Sequence, residues 1–326
     1  MTNQEVKGSN RQQPTVFFVI PCYNEDEQLP ITAPVLYDKL TAMKSNHLIA
    51  EDSCVLFVDD GSKDGTWQRI KRLNGTDPSL FHGVKLAHNR GHQNALLAGL
   101  MTALKRGCDA AISLDADLQD DIDMFDKFIE QYVSGAEIVY GVRSSRAKDT
   151  WFKRNTAEAF YALNSWMGAE TVRNHADYRL MSRVALRALS EYKEVNLFLR
   201  GVVPELGFKT AVVKYERGER EAGESKYPLK KMISFAIEGI TSFSVKPLHF
   251  VTNMGLLSIL VGIAMFVYVI VSWANDNVVS GWGSIMCSLW LIGGLLMLSV
   301  GIVGEYIGKI YLEVKQRPRY IVEISL

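Results

Sequence analysis

Cysteine is scarce and nowhere paired. Cys22, Cys54, Cys108 and Cys287 are the only four in 326 residues, at spacings that suit neither a zinc site nor a disulfide framework, so reduced, structural thiols are expected. Net charge is missing too, because 36 Lys and Arg offset 36 Asp and Glu. A nucleic-acid binder would carry a basic excess or a basic face; none shows at this level, and no nucleic-acid partner is expected. No G-x-G-x-x-G follows the first β-rich run and no Walker loop occurs, which sets aside both Gly-rich phosphate cradles. The opening "MTNQEVKGSNRQQ" has no apolar core. Residues 1–14 are therefore expected to be a flexible tail, not a secretory signal, with the domain that follows in the cytosol.

Charge is locally absent from two long stretches. "MGLLSILVGIAMFVYVIVSW", Met254 to Trp273, and a second run from about Gly283 to Val303 are each about as long as a helix needs to cross the hydrocarbon core. Two transmembrane helices are expected within residues 248–306. Lys226, Lys230, Lys231 and Lys246 precede the first run, Lys309, Lys315, Arg317 and Arg319 follow the second, and the connector carries only Asp276. The positive-inside rule then puts both chain ends in the cytoplasm of a multi-pass inner-membrane protein, including a cytosolic tail at 307–326. Between the soluble part and the first run, Leu229, Met232, Ile233, Ala236, Ile237 and Ile240 recur at helical spacing after Pro228. That stripe predicts a juxtamembrane amphipathic helix in residues 216–247, lying on the bilayer surface or docked on the soluble domain.

Residues 15–215 form the expected soluble domain, in which short β-rich runs alternate with amphipathic segments as in a doubly wound α/β sheet. Strands are predicted at about Thr15–Ile20, Cys54–Val58, Val84–Ala87, Ala110–Leu114 and Glu137–Tyr140. Ligands of such sheets bind beyond the carboxyl ends of the strands. There the chain reads "PCYNE", "DDGSKDGT", "HNRGHQNA", "DADLQDD" and "GVRSSR", polar clusters that would converge on one site. Acids at strand ends point to a nucleotide held partly through a metal ion. His88 and His92 could touch substrate, or are simply part of a polar strand-to-helix loop; with no Cys or His partner at ligand spacing, zinc is not expected.

The ordered series "VIPCYNE", "VDDGSKDGT", "DADLQDD", "GVR" and "ADYRLMSR", then "GESKYPLKKMISFAIEGITSFS" and a transmembrane pair ending in "GEYIGKIY", resembles glycosyltransferase family 2. Within it the chain resembles bacterial polyprenyl-phosphate glycosyltransferases related to dolichyl-phosphate mannose synthase. The resemblance implies a GT-A type (Rossmann-like) mixed sheet. It also implies inverting transfer of one hexose or N-acetylhexosamine from a nucleoside-diphosphate donor, UDP by family preference, to undecaprenyl or a similar polyprenyl phosphate on the cytoplasmic leaflet. The product would serve cell-envelope, O-antigen or teichoic-acid modification after a flippase turns it outward. A homo-oligomer is implied as well, since the family includes tetramers.

The hard step in such a reaction is departure of a diphosphate, whose growing charge a divalent cation stabilises. Hard oxygen ligands suit Mg²⁺ or Mn²⁺. Asp115 and Asp117 are two apart, so on an extended segment both project to one side, with Gln119 continuing the alternation as a neutral donor. The competing reading is a polar strand exit capping the next helix, to which Asp120 or Asp121 would contribute. The resemblance further implies that Pro21, Tyr23 and Glu25 frame base and ribose and that Asp60, less so Asp59, meets the base edge; turn chemistry is the alternative there. Arg143 and Arg179 supply cations for diphosphate or lipid phosphate, or pair with Asp177. Asp177 stands where the family has its catalytic base. A phosphomonoester is already largely ionised at neutral pH, so orienting the acceptor or the arginines is an equal expectation for it. Arg217, Arg220, Ser225 and Lys226 are expected near the lipid phosphate, or are simply surface charge of a membrane protein. Two other functions share parts of this pattern. A processive polysaccharide synthase would bring a Q-x-x-R-W motif, and the chain has no Arg-Trp pair; a non-catalytic lipid-binding or flippase-associated subunit would not need the Asp115 and Asp117 pair.

Overall fold

The computed structural model describes residues 12–143, 175–195, 199–215 and 281–326, with Val251, Asn253, Leu257 and Val267 as isolated helical positions. The expected juxtamembrane helix, the first expected span apart from Leu257 and Val267, and Arg217, Arg220, Ser225 and Lys226 lie outside the described residues. The chain divides into two compact units. One gathers the described residues up to Tyr215 together with Arg317–Leu326, and the other contains the long apolar helix.

The first unit is built on an eight-stranded sheet in the order β7-β5-β6-β4-β1-β2-β3-β8. Its strands are β1 (Val16–Cys22), β2 (Cys54–Asp59), β3 (Phe81–Leu86), β4 (Ala110–Ser113), β5 (Ile138–Arg143), β6 (His175–Ser182), β7 (Thr210–Tyr215) and β8 (Val322–Ser325). Among the described residues six helices accompany them: α1 (Leu29–Ser45), α2 (Thr66–Thr76), α3 (His92–Lys105), α4 (Met124–Val133), α5 (Arg183–Glu191) and α6 (Leu199–Glu205). β1 pairs in parallel with both β2 and β4, whereas β6 runs antiparallel between β4 and β5. The expected mixed, doubly wound sheet is thus present, with β1 central and buried along its whole length, "VFFVIPC". A strand covered on both faces needs a continuous apolar run, and β1 has one. β1 runs two residues further than predicted, through Pro21. Pro21 pairs with Val58 of β2 while the register with β4 has ended at Val19, so its missing N–H interrupts no ladder on that side.

Helix α3 lies close on this sheet because Gly99 has no side chain. A Cβ there would sit 2.3 Å from Val19 Cγ1 and 2.7 Å from Val58 Cγ2. On the opposite side Phe18 meets Phe125 of α4 at 4.8 Å between ring centroids, and Phe128 meets Tyr178 of β6 at 4.7 Å. β6, β7 and β8 were not predicted. β8 closes the β3 edge in antiparallel register, Val84 opposite Ser325 and Lys85 opposite Ile324. Lys85 adds an ion pair with Glu323 at 2.8 Å.

The tail expected at 307–326 therefore divides. Its first part continues helix α7 (Trp282–Val314) and its end supplies β8. α7 contains the second expected span, Gly283 to Val303, and runs eleven residues past it. Its stretch Leu295–Val314 has a mean hydropathy of 1.5 and no buried residues, and it is the one helix among the described residues long and apolar enough to cross a bilayer. A two-helix hairpin is not established by the described residues.

Candidate active site

Four strand-end loops meet beyond β1–β4, and specific hydrogen bonds join them. After β1, Asn24 takes the left-handed conformation (φ 55°). Its N–H donates to Ser62 Oγ at 2.9 Å and its side-chain carbonyl accepts from Lys63 N at 2.9 Å. Glu25 N donates to Thr66 Oγ1 at 2.8 Å, while the Glu25 carbonyl accepts from Gln28 and Leu29 at the entry to α1. Of the three residues expected to frame the nucleotide, Tyr23 is exposed, Glu25 half-buried and Pro21 buried.

Asp59 and Asp60 close the next loop from inside. Asp59 Oδ1 accepts from Ser62 N at 3.0 Å. Asp60, 2% exposed, accepts from Arg90 N at 2.7 Å on one oxygen and from Gly91 N at 2.8 Å on the other. Both of its oxygens thus clamp the loop after β3, which corresponds to the turn-chemistry alternative more than to the expected contact with a base edge. Burial raises its carboxyl above the usual carboxylate range, against the pull of those two N–H groups.

"DADLQDD" does not run as the extended segment that the alternation assumed. The chain turns at Ala116 and Asp117, and Leu118 adopts φ 52°, a region costly for an apolar side chain and characteristic of functional turns. Asp115 and Asp117 remain half exposed, whereas Gln119 and Asp120 are buried. Asp117 Oδ1 accepts from Gln119 N at 3.3 Å. Asp121 caps the approach to α4, accepting from Asp123 N at 2.9 Å. Asp120, expected to share that duty, instead turns inward to the Tyr215 hydroxyl, with Arg143 Nη2 at 3.6 Å. Arg143 also donates to Tyr215 Oη at 3.3 Å. It is therefore held by Asp120 and Tyr215, not by Asp177.

Asp177 sits at the centre of a second cluster. β6 alternates, so Asp177 and Arg179 share one face while Tyr178 enters the aromatic core on the other. Asp177 is 4% exposed and accepts from Arg179, from Arg200 Nη2 at 3.0 Å and from Gln93 Nε2 at 3.1 Å. His92 Nε2 lies 3.4 Å from it and 3.7 Å from Asp115. Burial alone would raise the Asp177 pKa; the His92 hydrogen bond and the charges of Arg179 and Arg200 outweigh it and hold the carboxyl well below the usual range. A carboxylate this strongly held in its ionised form is a poor proton acceptor. Arg179, expected to face a phosphate, is 1% exposed and spends its guanidinium on Asp177 and the Leu199 carbonyl. It is a buried counter-charge.

Asp115, with 42% of its side chain open, is pushed up to about 6 by the surrounding protein and by Asp120, Asp177 and Asp117, against the pull of His92. Acids that raise a carboxyl in this way favour a cation beside it. Among the described residues no group of three His, Cys, Asp or Glu forms a ready cation cage. Two carboxylates on one turn suit a hard divalent ion that completes its shell with phosphate oxygens and water. Gln93 and Arg200 were missed by sequence reasoning, and His92 was left undecided. Nothing in the local sequence marks Arg200; its partner is 23 residues away on another element.

Comparison with known proteins agrees with this architecture. Residues 17–190 match Glycosyl transferase family 2, and residues 246–310 match the GtrB C-terminal hairpin. The chain is 50% identical over 320 residues to the Uncharacterized glycosyltransferase YkoT of Bacillus subtilis (strain 168), covering 97% of this chain and 93% of that one. It is 39% identical over 315 residues to the SfII prophage-derived bactoprenol glucosyl transferase of Shigella flexneri, covering 95% and 98%. With a family match over more than half of its length and relatives aligned nearly end to end, this chain belongs to glycosyltransferase family 2.

Proposed function

We propose that the protein transfers one sugar from a nucleoside diphosphate to a polyprenyl phosphate at the cytoplasmic face of the membrane, with inversion at the anomeric carbon. The observation that carries this reading is the juxtaposition, through His92, of the Asp115–Asp117 turn with the arginine-ringed Asp177. One side suits a metal-bound diphosphate, the other an anionic acceptor. The end-to-end similarity to a bactoprenol glucosyl transferase supports the lipid acceptor and makes glucose the first donor to test.

In this mechanism Asp115 and Asp117, with Gln119 as a neutral oxygen donor, would hold Mg²⁺ or Mn²⁺, which would supply positive charge against that of the departing diphosphate. Tyr23 and Glu25 border the nucleotide. The acceptor phosphate attacks as an already ionised oxygen, its second pKa being near 6, so no carboxylate has to remove a proton. Asp177 accordingly serves to fix the cations around it. Arg143, with Arg217, Arg220, Ser225 and Lys226, would meet the lipid headgroup, and the apolar helices would keep the domain at the bilayer. The transferred sugar would pass to envelope glycans after flipping, and the working form would be a homo-oligomer.

The test is a panel of radiolabelled UDP- and GDP-sugars incubated with the full-length protein, undecaprenyl phosphate and Mn²⁺ or Mg²⁺, followed by organic extraction. Label should enter the lipid from one donor and disappear with chelator or with Asp115→Asn. No lipid label from any donor, with the metal present, would sink the reading.

A further inference from the structure

We propose that Arg200 binds the phosphate of the acceptor, and that Asp177 is the positioning residue that aims it. The inference rests on the transferase reading above. Asp177 is shared by two arginines in opposite situations. Arg179 is enclosed, with 1% of its side chain exposed, whereas Arg200 keeps 43% of its side chain open. Arg200 grips the carboxylate through Nε at 3.4 Å and Nη2 at 3.0 Å. That two-point contact fixes the plane of the guanidinium, and a fixed guanidinium recognises phosphate with little further ordering.

The backbone beneath Arg200 is held by the same residues. Leu199 N donates to Gln93 Oε1 at 3.1 Å, while Gln93 Nε2 donates to Asp177 at 3.1 Å. The Leu199 carbonyl accepts from Arg179 Nη1 at 3.3 Å. Arg200 is thereby locked at main chain and side chain together, as a substrate-orienting group needs to be.

Charge decides which phosphate it meets. The donor's diphosphate would have its cation from Asp115 and Asp117. The acceptor monoester carries nearly two negative charges at neutral pH and brings no metal, so it needs a fixed protein cation. In-line displacement also requires the attacking oxygen to stand across the anomeric carbon from the leaving group. The Asp177 cluster is adjacent to the acid pair through His92 but separate from it, which suits that requirement.

The experiment compares full-length wild type, Arg200→Ala and Arg200→Lys, measuring KM for polyprenyl phosphate and for donor separately, with binding of farnesyl phosphate against farnesol measured directly. Arg200→Ala should raise the acceptor KM about tenfold or more, the loss expected for a charge-assisted phosphate contact, and leave the donor KM within about twofold of wild type. Arg200→Lys should fall between, since a point charge replaces a two-point donor. Added guanidinium should partly restore the Ala variant. Asp177→Asn should raise the acceptor KM as well, less than additively when combined with Arg200→Ala. A rise in donor KM instead, or a loss of kcat with acceptor KM unchanged, overturns the proposal. If Arg200→Ala fails to bind UDP and Mn²⁺ as wild type does, Arg200→Lys carries the comparison. Wild type that transfers no sugar would overturn the transferase reading alone; loss of phosphate-selective binding on changing Arg200 would still support this proposal, and unchanged binding would overturn it.

Discussion

At the residue scale the site separates its acids by environment. Asp115 is raised to about 6 while Asp177 is held far below the ordinary range, although His92 touches both. Burial raises both; the acids around Asp115 add to that rise, whereas His92, Arg179 and Arg200 overturn it at Asp177. A depressed carboxylate contributes stability that is complete above its unfolded pKa, near 3.9, and is lost only as pH falls through the lower folded value. Asp177→Asn should therefore lower Tm at neutral pH, by an amount that grows as pH falls through the raised His92 pKa, since Asp177 also holds the imidazolium, and that shrinks below about pH 4. Because it strands the buried Arg179, the loss should be large, roughly 3–5 kcal/mol. Thermal unfolding of both proteins across that range checks this; a gap that closes between pH 7 and 6 would contradict it. Asp115 and Asp117 were legible as a pair from their motif. The fate of Gln119 and Asp120 was not, because a left-handed Leu118 reverses the alternation and local sequence does not announce it.

At the element scale the least anticipated feature is β8. Its residues "VEIS" are too short a run to announce a strand, and their partner β3 lies more than two hundred residues earlier. The pairing covers an edge that would otherwise present open backbone groups. It also reaches the site: Ala87 N donates to the Ile321 carbonyl at 3.0 Å, one residue ahead of the loop whose Arg90 and Gly91 are clamped by Asp60. Deleting residues 317–326 should lower Tm, promote aggregation and raise the donor KM more than the acceptor KM, since the loosened loop adjoins the donor side. Steady-state kinetics with each substrate varied would show this; an unchanged donor KM would mean that β8 acts on stability alone.

At the scale of the whole molecule, α7 spans 33 residues, about 50 Å at 1.5 Å per residue, well beyond a hydrocarbon core of about 30 Å. Its length accommodates a crossing and a polar extension that carries Lys309 and is followed by Lys315. If the charge asymmetry orients the chain as proposed, a cysteine introduced by Asn277→Cys in a background lacking Cys287 should react with an impermeant maleimide from outside intact cells. Positions in the soluble domain should not. Labelling only after lysis would reverse the topology.

Sequence alone determined the α/β alternation, the central apolar strand, the acid-bearing strand ends and the charge-free stretches, because each is written in local periodicity or composition. Tertiary structure decided what those residues do. It made Asp60 a loop clamp, Arg179 a buried counter-charge, Asp177 the holder of Arg200, and the chain's last residues an edge of the sheet. Such roles depend on partners tens to hundreds of residues apart, and only the packed sheet, which brings β6, α3 and α6 together at one end of β4, sets which charges are desolvated together.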